Sequence, residues 1–276
     1  MRALPLHQGA RGLNDDAAVI EIGGETLVLT HDTMAEGTHF RADANLRDVA
    51  WKLVASNLSD LAAKGAEPVG VMLSYPLGDE DAEFVSGLWQ ALDAMDVQLL
   101  GGDTFAAKGA RTIGLTAIGR ATHIPVPARS GAQIGDAIYV TGTLGRAMLG
   151  FEGVQEHLDA FNRPEPRMLE GRTLAPCVTA MMDISDGLLL DAFRMAEASE
   201  ATFAIEAAAV PVASADRRDE CMRWGDDYEL LFTLREGAES PVPASRIGTV
   251  EPLGFAPLVL DGHPLVNQQG LGFQHG

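Results

Sequence analysis

Aspartate residues follow strand-like segments at several places in this chain, and that arrangement strongly restricts its possible folds. The apolar run 178–182 leads into Asp183, and helical spacing of apolar residues starts at Leu188. This pattern predicts a strand, a sharp turn and a helix, with Ser185 or Asp186 positioned to cap the helix. A capped turn alone would explain this one segment, but it would not explain why the pattern recurs.

Three further segments place aspartate in similar surroundings, namely 14–18, 30–33 and 101–104. Strand-like runs precede Asp32 and Asp103, so we expect both residues at the carboxyl ends of strands. In open α/β sheets, ligands bind at those ends, which predicts that the carboxylates converge. Several carboxylates in one place repel one another unless cations hold them, and Mg²⁺ prefers such oxygen ligands.

A long amphipathic helix is predicted over 47–65, and it carries polar groups on its apolar side. At ~100° per residue, Asp60 projects close to Val49. Ser56 and Asn57 also point toward the inner side. Because burying an unpaired carboxylate is costly, Asp60 either lies at a solvated rim or meets a positive charge. The three polar groups together favour a functional site.

The composition excludes several classes of partner. The chain has 276 residues, of which 39 are acidic and 20 basic, and its net charge of −19 argues against nucleic-acid and anionic-membrane partners. Its two cysteines and seven histidines show no zinc-ligand spacing. The sequence has no signal-peptide pattern, and no apolar run approaches the ~18 residues of a membrane span. We therefore expect a cytoplasmic protein without structural zinc.

The glycine-rich turn 141–145 lies between a predicted strand and a predicted helix. The chain contains neither GxxxxGK[ST] nor a GxGxxG between strand and helix, so the sequence predicts neither a P-loop nor a Rossmann site. Pro, Gly, Ser and Ala dominate 122–135. This change in composition predicts a boundary between two mixed α/β domains, residues 1–124 and 125–276.

Six motifs occur in a characteristic order: 15–16 (DD), 31–33 (HDT), 57–63 (NLSDLAA), 101–104 (GGDT), 183–187 (DISDG) and 225–230 (GDDYEL). With them, the chain resembles the thiamine-monophosphate kinase family from about residue 13 to the C-terminus. That family belongs to the superfamily of aminoimidazole ribonucleotide synthetase and selenophosphate synthetase. The resemblance implies two domains of α/β (α+β type) structure, a homodimer formed by the N-terminal domains, and an active site between domains. It also implies ATP-dependent phosphorylation of thiamine monophosphate to thiamine diphosphate.

The resemblance implies a role for each matching position. Several Mg²⁺ ions would be bound by Asp16, Thr30, His31, Asp32, Asp60, Asp103, Asp183 and Asp186, with Thr30 and His31 acting through backbone oxygens. ATP would contact Gly102, Asp103, Arg129 and Ser185. Thiamine monophosphate would contact His39, Asp226 and Phe273. No residue is expected to act as acid or base, because the acceptor phosphate is already largely deprotonated. The chain departs from the family pattern at Asn14, usually glycine, and at Asp226, usually glutamate.

Two alternatives remain open on the sequence. Another ATP-dependent enzyme of the superfamily would share the fold. Selenophosphate synthetase would carry a reactive cysteine near its N-terminus, and the hydrogenase-maturation relative a C-terminal cysteine, whereas this chain has only Cys177 and Cys221. The second alternative is a protein that binds divalent cations without catalysis.

Overall fold

The computed structural model describes residues 4–274, and the first half of that part of the chain forms a five-stranded sheet. Its strands are β1 (Ala18–Ile22), β2 (Glu25–Ala35), β3 (Ala66–Leu77), β4 (Leu99–Ala106) and β5 (Thr112–Ala121). Gly23 and Gly24, both with positive φ, join β1 and β2 in the predicted hairpin. The strand order is β1-β2-β5-β3-β4, with only β3 and β4 parallel.

Two helices pack on this sheet, as their apolar periodicity predicts. They are α1 (Leu46–Ala63) and α2 (Asp81–Ala94). The Asn45 side chain caps α1 by accepting a hydrogen bond from the Arg47 N–H at 3.0 Å. Phe84 and Leu88 of α2 are buried with the apolar face of α1 and the inner side chains of the sheet. A short 3₁₀ segment, Gln8–Leu13, precedes β1.

The predicted strand ends at Asp32 and Asp103 are wrong. Asp32 lies inside β2 and Asp103 lies inside β4, because both strands continue their pairing past these residues. The expectation that carboxylates converge at strand ends, as ligands do in open α/β sheets, also fails here, since this sheet is mainly antiparallel. Register pairs Asp32 with Leu115, Leu115 with Leu73, and Leu73 with Gly102. β4 therefore lies three strand spacings, about 14 Å, from β2.

The second half forms a seven-stranded sheet of order β12-β11-β8-β10-β6-β9-β7. The bounds are β6 (Ala137–Thr141), β7 (Ala180–Asp183), β8 (Ala201–Ile205), β9 (Leu230–Leu234), β10 (Ala244–Pro252), β11 (Leu258–Leu260) and β12 (His263–Leu265). Its helices are α3 (Arg146–Phe151), α4 (Leu158–Asn162), α5 (Met168–Leu174), α6 (Leu188–Ala198) and α7 (Arg218–Arg223). Only the β8–β11 pair is parallel.

Asp183 ends β7 and α6 begins at Leu188, as the sequence predicts. The predicted cap is wrong, however. Neither Ser185 nor Asp186 caps α6; instead the Asp191 carboxylate reaches back from the first turn of α6 and accepts their backbone N–H groups at 3.1 and 3.0 Å. The turn is therefore held by a residue that follows it.

Helix α1 also joins the two halves. Each sheet has its own apolar core, and a third buried cluster lies at their junction. In that cluster, Ala62 and Ala63 at the end of α1 pack near Met181 of β7 and Leu174 of α5. The end of α1 is thus packed against elements of the second half.

No helix within residues 4–274 has the length and apolar character that crossing a membrane requires. The structure is mixed α/β, with one sheet before residue 122 and another after residue 136. A domain division at residue 124 stays a prediction.

Candidate active site

A cleft of ≈ 750 Å³ lies between the two halves and is lined by residues of both. Eight of the predicted site residues line it: Asp32, His39, Asp60, Asp183, Ser185, Asp186, Asp226 and Phe273. Three more lie directly behind this wall and contact its residues or one another, namely Asp16, Thr30 and Arg129. The fold thus brings together residues that are up to 257 positions apart.

Three aspartates form the centre of the site. One carboxylate oxygen each from Asp16, Asp60 and Asp183 lies within 4.8 Å of the other two. The Thr30 hydroxyl donates a hydrogen bond to Asp60, and the Ser59 hydroxyl donates one to Asp183 at 2.6 Å. These donors are neutral, so they orient Asp60 and Asp183 without neutralising them.

Burial and mutual repulsion make this group unfavourable as bare carboxylates. Burial raises the pKa of Asp60 well above its ordinary value, and the charges of Asp32 and Asp183 raise it further. Burial likewise raises the pKa of Asp32. It raises the pKa of Asp183 to about 8, with Asp16 as the next contributor. A cation placed among these carboxylates would offset the free-energy cost of their burial and mutual repulsion.

The Asp16 carboxylate differs from these groups because two cationic side chains contact it. Arg129 donates to Oδ1 through Nε at 2.7 Å, and the Lys64 ammonium lies 2.6 Å from Oδ2. Burial alone would raise the pKa of Asp16, but Lys64 and Arg129 outweigh it and lower the pKa below its ordinary value. Asp16 is therefore ionised and fixed in place. Lys64 was not recognised from the sequence, because its partners are distant in the chain.

One face of α1 supplies several groups of the cleft at a spacing of four residues. Lys52, Ser56 and Asp60 all line it, and this i, i+4, i+8 spacing could have identified Lys52 from the sequence. The Lys52 ammonium lies 2.6 Å from the Asp226 carboxylate and 3.8 Å from the centre of the Phe161 ring. Next to Ser56 in the helix, the Asn57 side chain accepts a hydrogen bond from the Asp32 N–H at 3.1 Å.

The first turn of α6 contributes a buried acid, Asp191, that sequence reasoning missed. Asp191 is fully buried, and besides the two N–H groups it accepts a hydrogen bond from Arg194 at 3.1 Å. Burial, followed by the charge of Asp186, raises the pKa of Asp191 to about 7. Asp186 itself pairs with Arg194 at 2.5 Å. This network holds the turn that presents Ser185 and Asp186 to the cleft.

Aromatic side chains also line the cleft. The rings of His39 and Phe273 meet edge to face with centroids 6.3 Å apart. On another side, the centroid of the Phe151 ring lies 5.3 Å from that of Phe161 and 5.1 Å from that of Trp224. The cleft thus combines a cation-binding end with walls suited to flat rings.

Three predicted residues are not brought into the cleft within one chain. The His31 side chain is exposed on the other face of β2, where Nδ1 lies 2.9 Å from the Thr116 hydroxyl. Gly102 and Asp103 lie on the exposed edge strand β4. Gly102 has a structural reason to be glycine, since it has φ +149° and a Cβ there would lie 1.9 Å from the Leu73 carbonyl oxygen.

The turn 141–145 surrounds a carboxylate of the protein. The Thr141 hydroxyl donates to Glu229 at 2.6 Å, and Arg167 binds the same carboxylate through two nitrogens at 2.6 and 2.7 Å. At Gly142, φ is +56° and a Cβ would lie 1.9 Å from a Glu229 oxygen. Internal packing around Glu229 therefore accounts for this glycine-rich turn.

The donor set suits Mg²⁺. The converging groups are carboxylates, which are hard oxygen ligands, and among the described residues no zinc-like grouping of His and Cys accompanies them. Burial raises the pKa of Asp32, Asp60 and Asp183, so a bound cation would favour their ionised forms. A cleft with these donors is chemically suited to divalent cations and, through them, to a polyanion.

Asp183 gives the metal-free protein a defined pH dependence. Because its folded pKa of about 8 exceeds the unfolded value of 3.8, its stabilising contribution is complete below pH ~4 and is lost as pH rises through ~8. In EDTA, wild-type protein should lose stability relative to Asp183→Asn between pH 5 and 8, by at most ~1.4 kcal/mol per pH unit. Denaturant unfolding measures this difference. Parallel curves for the two proteins would contradict it.

Comparisons with known proteins identify relatives along most of the chain. The family models for the N-terminal and C-terminal domains of AIR synthase related proteins match residues 14–121 and 133–252. The thiamine-monophosphate kinase of Escherichia coli (strain K12) is 36% identical, over 82% of this chain and 76% of its own length. The Salmonella typhimurium protein of the same name is 35% identical, over 96% and 91%.

Solved structures show the same fold. AaThiL complexed with AMPPCP and TMP superposes with a TM-score of 0.84 at 26% identity, covering 95% of this chain and 97% of that one. The thiamine monophosphate kinase of Aquifex aeolicus gives 0.82 at 26% identity, covering 91% and 93%. The hydrogenase maturation protein HypE in complex with ATP gives 0.70 at 20% identity, covering 94% and 91%, which shows the shared fold alone.

Proposed function

The chain belongs to the thiamine-monophosphate kinase family of AIR synthase related proteins, and from this premise we propose that it transfers a phosphoryl group from ATP to thiamine monophosphate. The product is thiamine diphosphate. One observation carries the proposal: a buried carboxylate cluster and aromatic walls share a single cleft. The names of the relatives, and a neighbour complexed with AMPPCP and TMP, support the choice of substrates.

Several Mg²⁺ ions are the cofactors in this proposal. Asp32, Asp60 and Asp183 would hold them, with Asp16 beside Asp60 and Asp183, and with Asp186 at the cleft wall. Thr30 and His31 would contribute backbone oxygens. The edge of β2 is suited to this, because β1 pairs with β2 only as far as Leu29. When bound, the ions would offset the charges of the two phosphate-bearing substrates.

The chain's own residues would position the reactants rather than react with them. In-line phosphoryl transfer needs alignment and charge stabilisation more than covalent chemistry. The acceptor is a phosphate monoester, already largely ionised near neutral pH, so no side chain needs to remove a proton. Lys52, held between Asp226 and Phe161, is placed to orient an anionic acceptor in the cleft. Ser185 and Arg129 would contact the nucleotide.

Product analysis tests the proposal. Purified full-length protein with Mg²⁺, ATP and thiamine monophosphate should form ADP and thiamine diphosphate in equal amounts, and much less ADP with ATP alone. ADP formation that is unaffected by thiamine monophosphate would favour another ATP-dependent enzyme of the superfamily. Absence of ADP under all conditions would favour the non-catalytic alternative. A ³²P-labelled protein intermediate in rapid-quench experiments would rule out direct transfer.

A homodimer formed by the N-terminal sheet is part of the proposal. The sheet leaves a group of large apolar side chains exposed: Met72, Leu77, Leu99, Leu100 and Phe105. Exposed apolar patches of this kind mark association surfaces. A partner covering this surface would also bury Gly102 and Asp103, which one chain leaves about 14 Å from β2. Their roles in binding metal and ATP would then depend on the dimer. Sedimentation of the full chain tests its oligomeric state.

Phe273 is expected to contribute to selectivity for thiamine monophosphate. It is 40% exposed in the cleft and meets His39 edge to face, so its ring is available to a heteroaromatic ligand. Phe273→Ala should raise the KM for thiamine monophosphate by roughly 3- to 10-fold, the scale of one aromatic contact, and change the KM for ATP less. Steady-state kinetics measure both values. Phe255→Ala, at an 88% exposed phenylalanine away from the cleft, is the control. Equal changes in both KM values would contradict this role.

A further inference from the structure

Lys64 is a buried cation in contact with the acidic site. It directly follows α1, and its side chain has no solvent exposure. Its ammonium lies 2.5 Å from Asp15 Oδ1 and 2.6 Å from Asp16 Oδ2, and it donates a hydrogen bond to the Met181 carbonyl at 3.2 Å. The side chain thus connects the end of α1, the segment before β1, and β7.

The cations divide the acidic group into two sides. On one side, Asp15 contacts Lys64 and Arg11, and Asp16 contacts Lys64 and Arg129. On the other side, the Asp60 carboxylate accepts a hydrogen bond from the neutral Thr30 hydroxyl, and the Asp183 carboxylate accepts one from the neutral Ser59 hydroxyl. The first side is paired directly with cations, whereas on the second no cationic side chain among the described residues contacts Asp60 or Asp183.

A divalent ion and the Lys64 ammonium cannot both occupy the space beside Asp15 and Asp16 favourably. The ammonium already lies between the two carboxylates, in contact with one oxygen of each. Two cations on one oxygen would also repel each other in a site that excludes water. Metal binding at these oxygens would therefore compete with Lys64.

We propose that Lys64 is a positioning residue that acts as a built-in cation: it occupies a place beside Asp15 and Asp16 that a divalent ion would otherwise take. It thereby fixes Asp16 and confines the metal ions to the side formed by Asp32, Asp60 and Asp183. This inference rests on the proposed function only in assuming that the cleft binds Mg²⁺. It can be tested with Mg²⁺ alone, without nucleotide, thiamine monophosphate or turnover.

Lys64→Met tests the proposal because it keeps an unbranched side chain of nearly the same length and removes its charge. In EDTA the variant should melt at a lower temperature than wild type, since two buried carboxylates lose their shared cation. Calorimetric titration with MgCl₂ should show one additional Mg²⁺ bound per chain. The rise in Tm on adding Mg²⁺ should also be larger than in wild type. Lys108→Met, at an exposed lysine, should behave as wild type in both measurements.

A double variant separates charge replacement from lost packing. Asp15→Asn combined with Lys64→Met removes one negative and one positive charge and leaves Asp16 paired with Arg129. It should bind the wild-type number of Mg²⁺ ions. If Lys64→Met does not fold in EDTA, Mg²⁺ should restore its fold, whereas NaCl at equal ionic strength should not.

Unchanged Mg²⁺ stoichiometry and an unchanged Mg²⁺-induced Tm rise in Lys64→Met would overturn the proposal, since Lys64 would then be only a structural residue. Failure of Mg²⁺ to restore an unfolded variant would overturn it equally, as would an additional ion in the double variant. These outcomes are independent of the kinase assay. A wild-type protein without activity could still show the additional ion in Lys64→Met, so failure of the proposed function is distinguishable.

Discussion

Asp60→Asn should lower the rate of thiamine diphosphate formation by roughly a hundredfold or more, the scale of losing one strong electrostatic contact to a transition state. Asp60 lies at the centre of the carboxylate group, on the side where no cationic side chain of the described residues contacts it. Asparagine keeps the size of the side chain, and its amide oxygen can still accept the Thr30 hydrogen bond. The change therefore removes a charge with little change in shape.

The same substitution should act in opposite directions on stability without and with ligands. Without metal, the Asp60 carboxylate is buried beside Asp32 and Asp183, and their repulsion destabilises the fold. Removing one charge should leave the melting temperature unchanged or raise it. With Mg²⁺ and ATP, the same carboxylate would be a ligand. The stabilisation that ligands add should then shrink in the variant, because it follows the binding affinity.

Melting curves of wild type and Asp60→Asn, each in EDTA and in Mg²⁺-ATP, measure both effects. Asp93→Asn, at an exposed position on α2, is the matched control and should change neither the turnover nor the ligand-induced rise in Tm. An Asp60→Asn protein that is destabilised in EDTA and keeps the full Mg²⁺-ATP rise would show a structural role instead. Asp60 would then be an ordinary helix residue whose hydrogen bond to Thr30 supports the fold.

Removing divalent cations should abolish nearly all ATP binding, with a loss of affinity of at least about a hundredfold, the order expected when a strong charge contact is lost. Five carboxylates line the cleft: Asp32, Asp60, Asp183, Asp186 and Asp226. Its three cationic side chains are already paired, Arg41 with Asp43, Lys52 with Asp226, and Arg223 with Asp219. A bare triphosphate would therefore meet mainly negative charge.

Calorimetric titration of ATP in EDTA and in excess Mg²⁺ measures this dependence. Adding Mg²⁺ back beyond the chelator should restore binding, and NaCl at the same ionic strength should not. ATP affinity that stays within about threefold in EDTA would refute binding through metal ions. The glycine-rich turn 141–145 offers no alternative phosphate site in the structure, because the Glu229 carboxylate already lies against it.

Local patterns predicted many of the elements well. The hairpin at Gly23 and Gly24, helix α1 and the turn after Asp183 all follow from signals within a few residues of one another. β11 and β12 were missed, since segments of three residues carry too little periodicity. Asp32 and Asp103 were misplaced because an acidic residue after an apolar run resembles a strand end, whereas pairing with neighbouring strands carries β2 and β4 past them.

The acidic part of the site could be predicted further than its cationic part. Motif resemblance identified the aspartates that meet in the cleft, and the periodicity of α1 indicated the inward direction of Asp60. Lys64 has ordinary helix-end surroundings in the sequence, and its partners lie 48 and 49 residues earlier in the chain. Asp191 holds the preceding turn by reaching backward, which no cap pattern describes. Both roles arise only from tertiary contacts.

Helix α1 belongs structurally to both halves, and this links folding to assembly of the site. Ser59 of α1 donates a hydrogen bond to Asp183, and Lys64, which directly follows α1, donates one to the Met181 carbonyl; both acceptors lie in the second sheet. The apolar face of α1 is part of the core of the first sheet. Loss of the second sheet would leave Lys64 without its Met181 acceptor and Ser59 without Asp183. Loss of the first would remove α1 itself. The two sheets are therefore thermodynamically coupled and should unfold as one cooperative unit. In consequence, the carboxylate cluster is complete only when both sheets are folded, because Asp60 lies on the helix of the first and Asp183 ends a strand of the second.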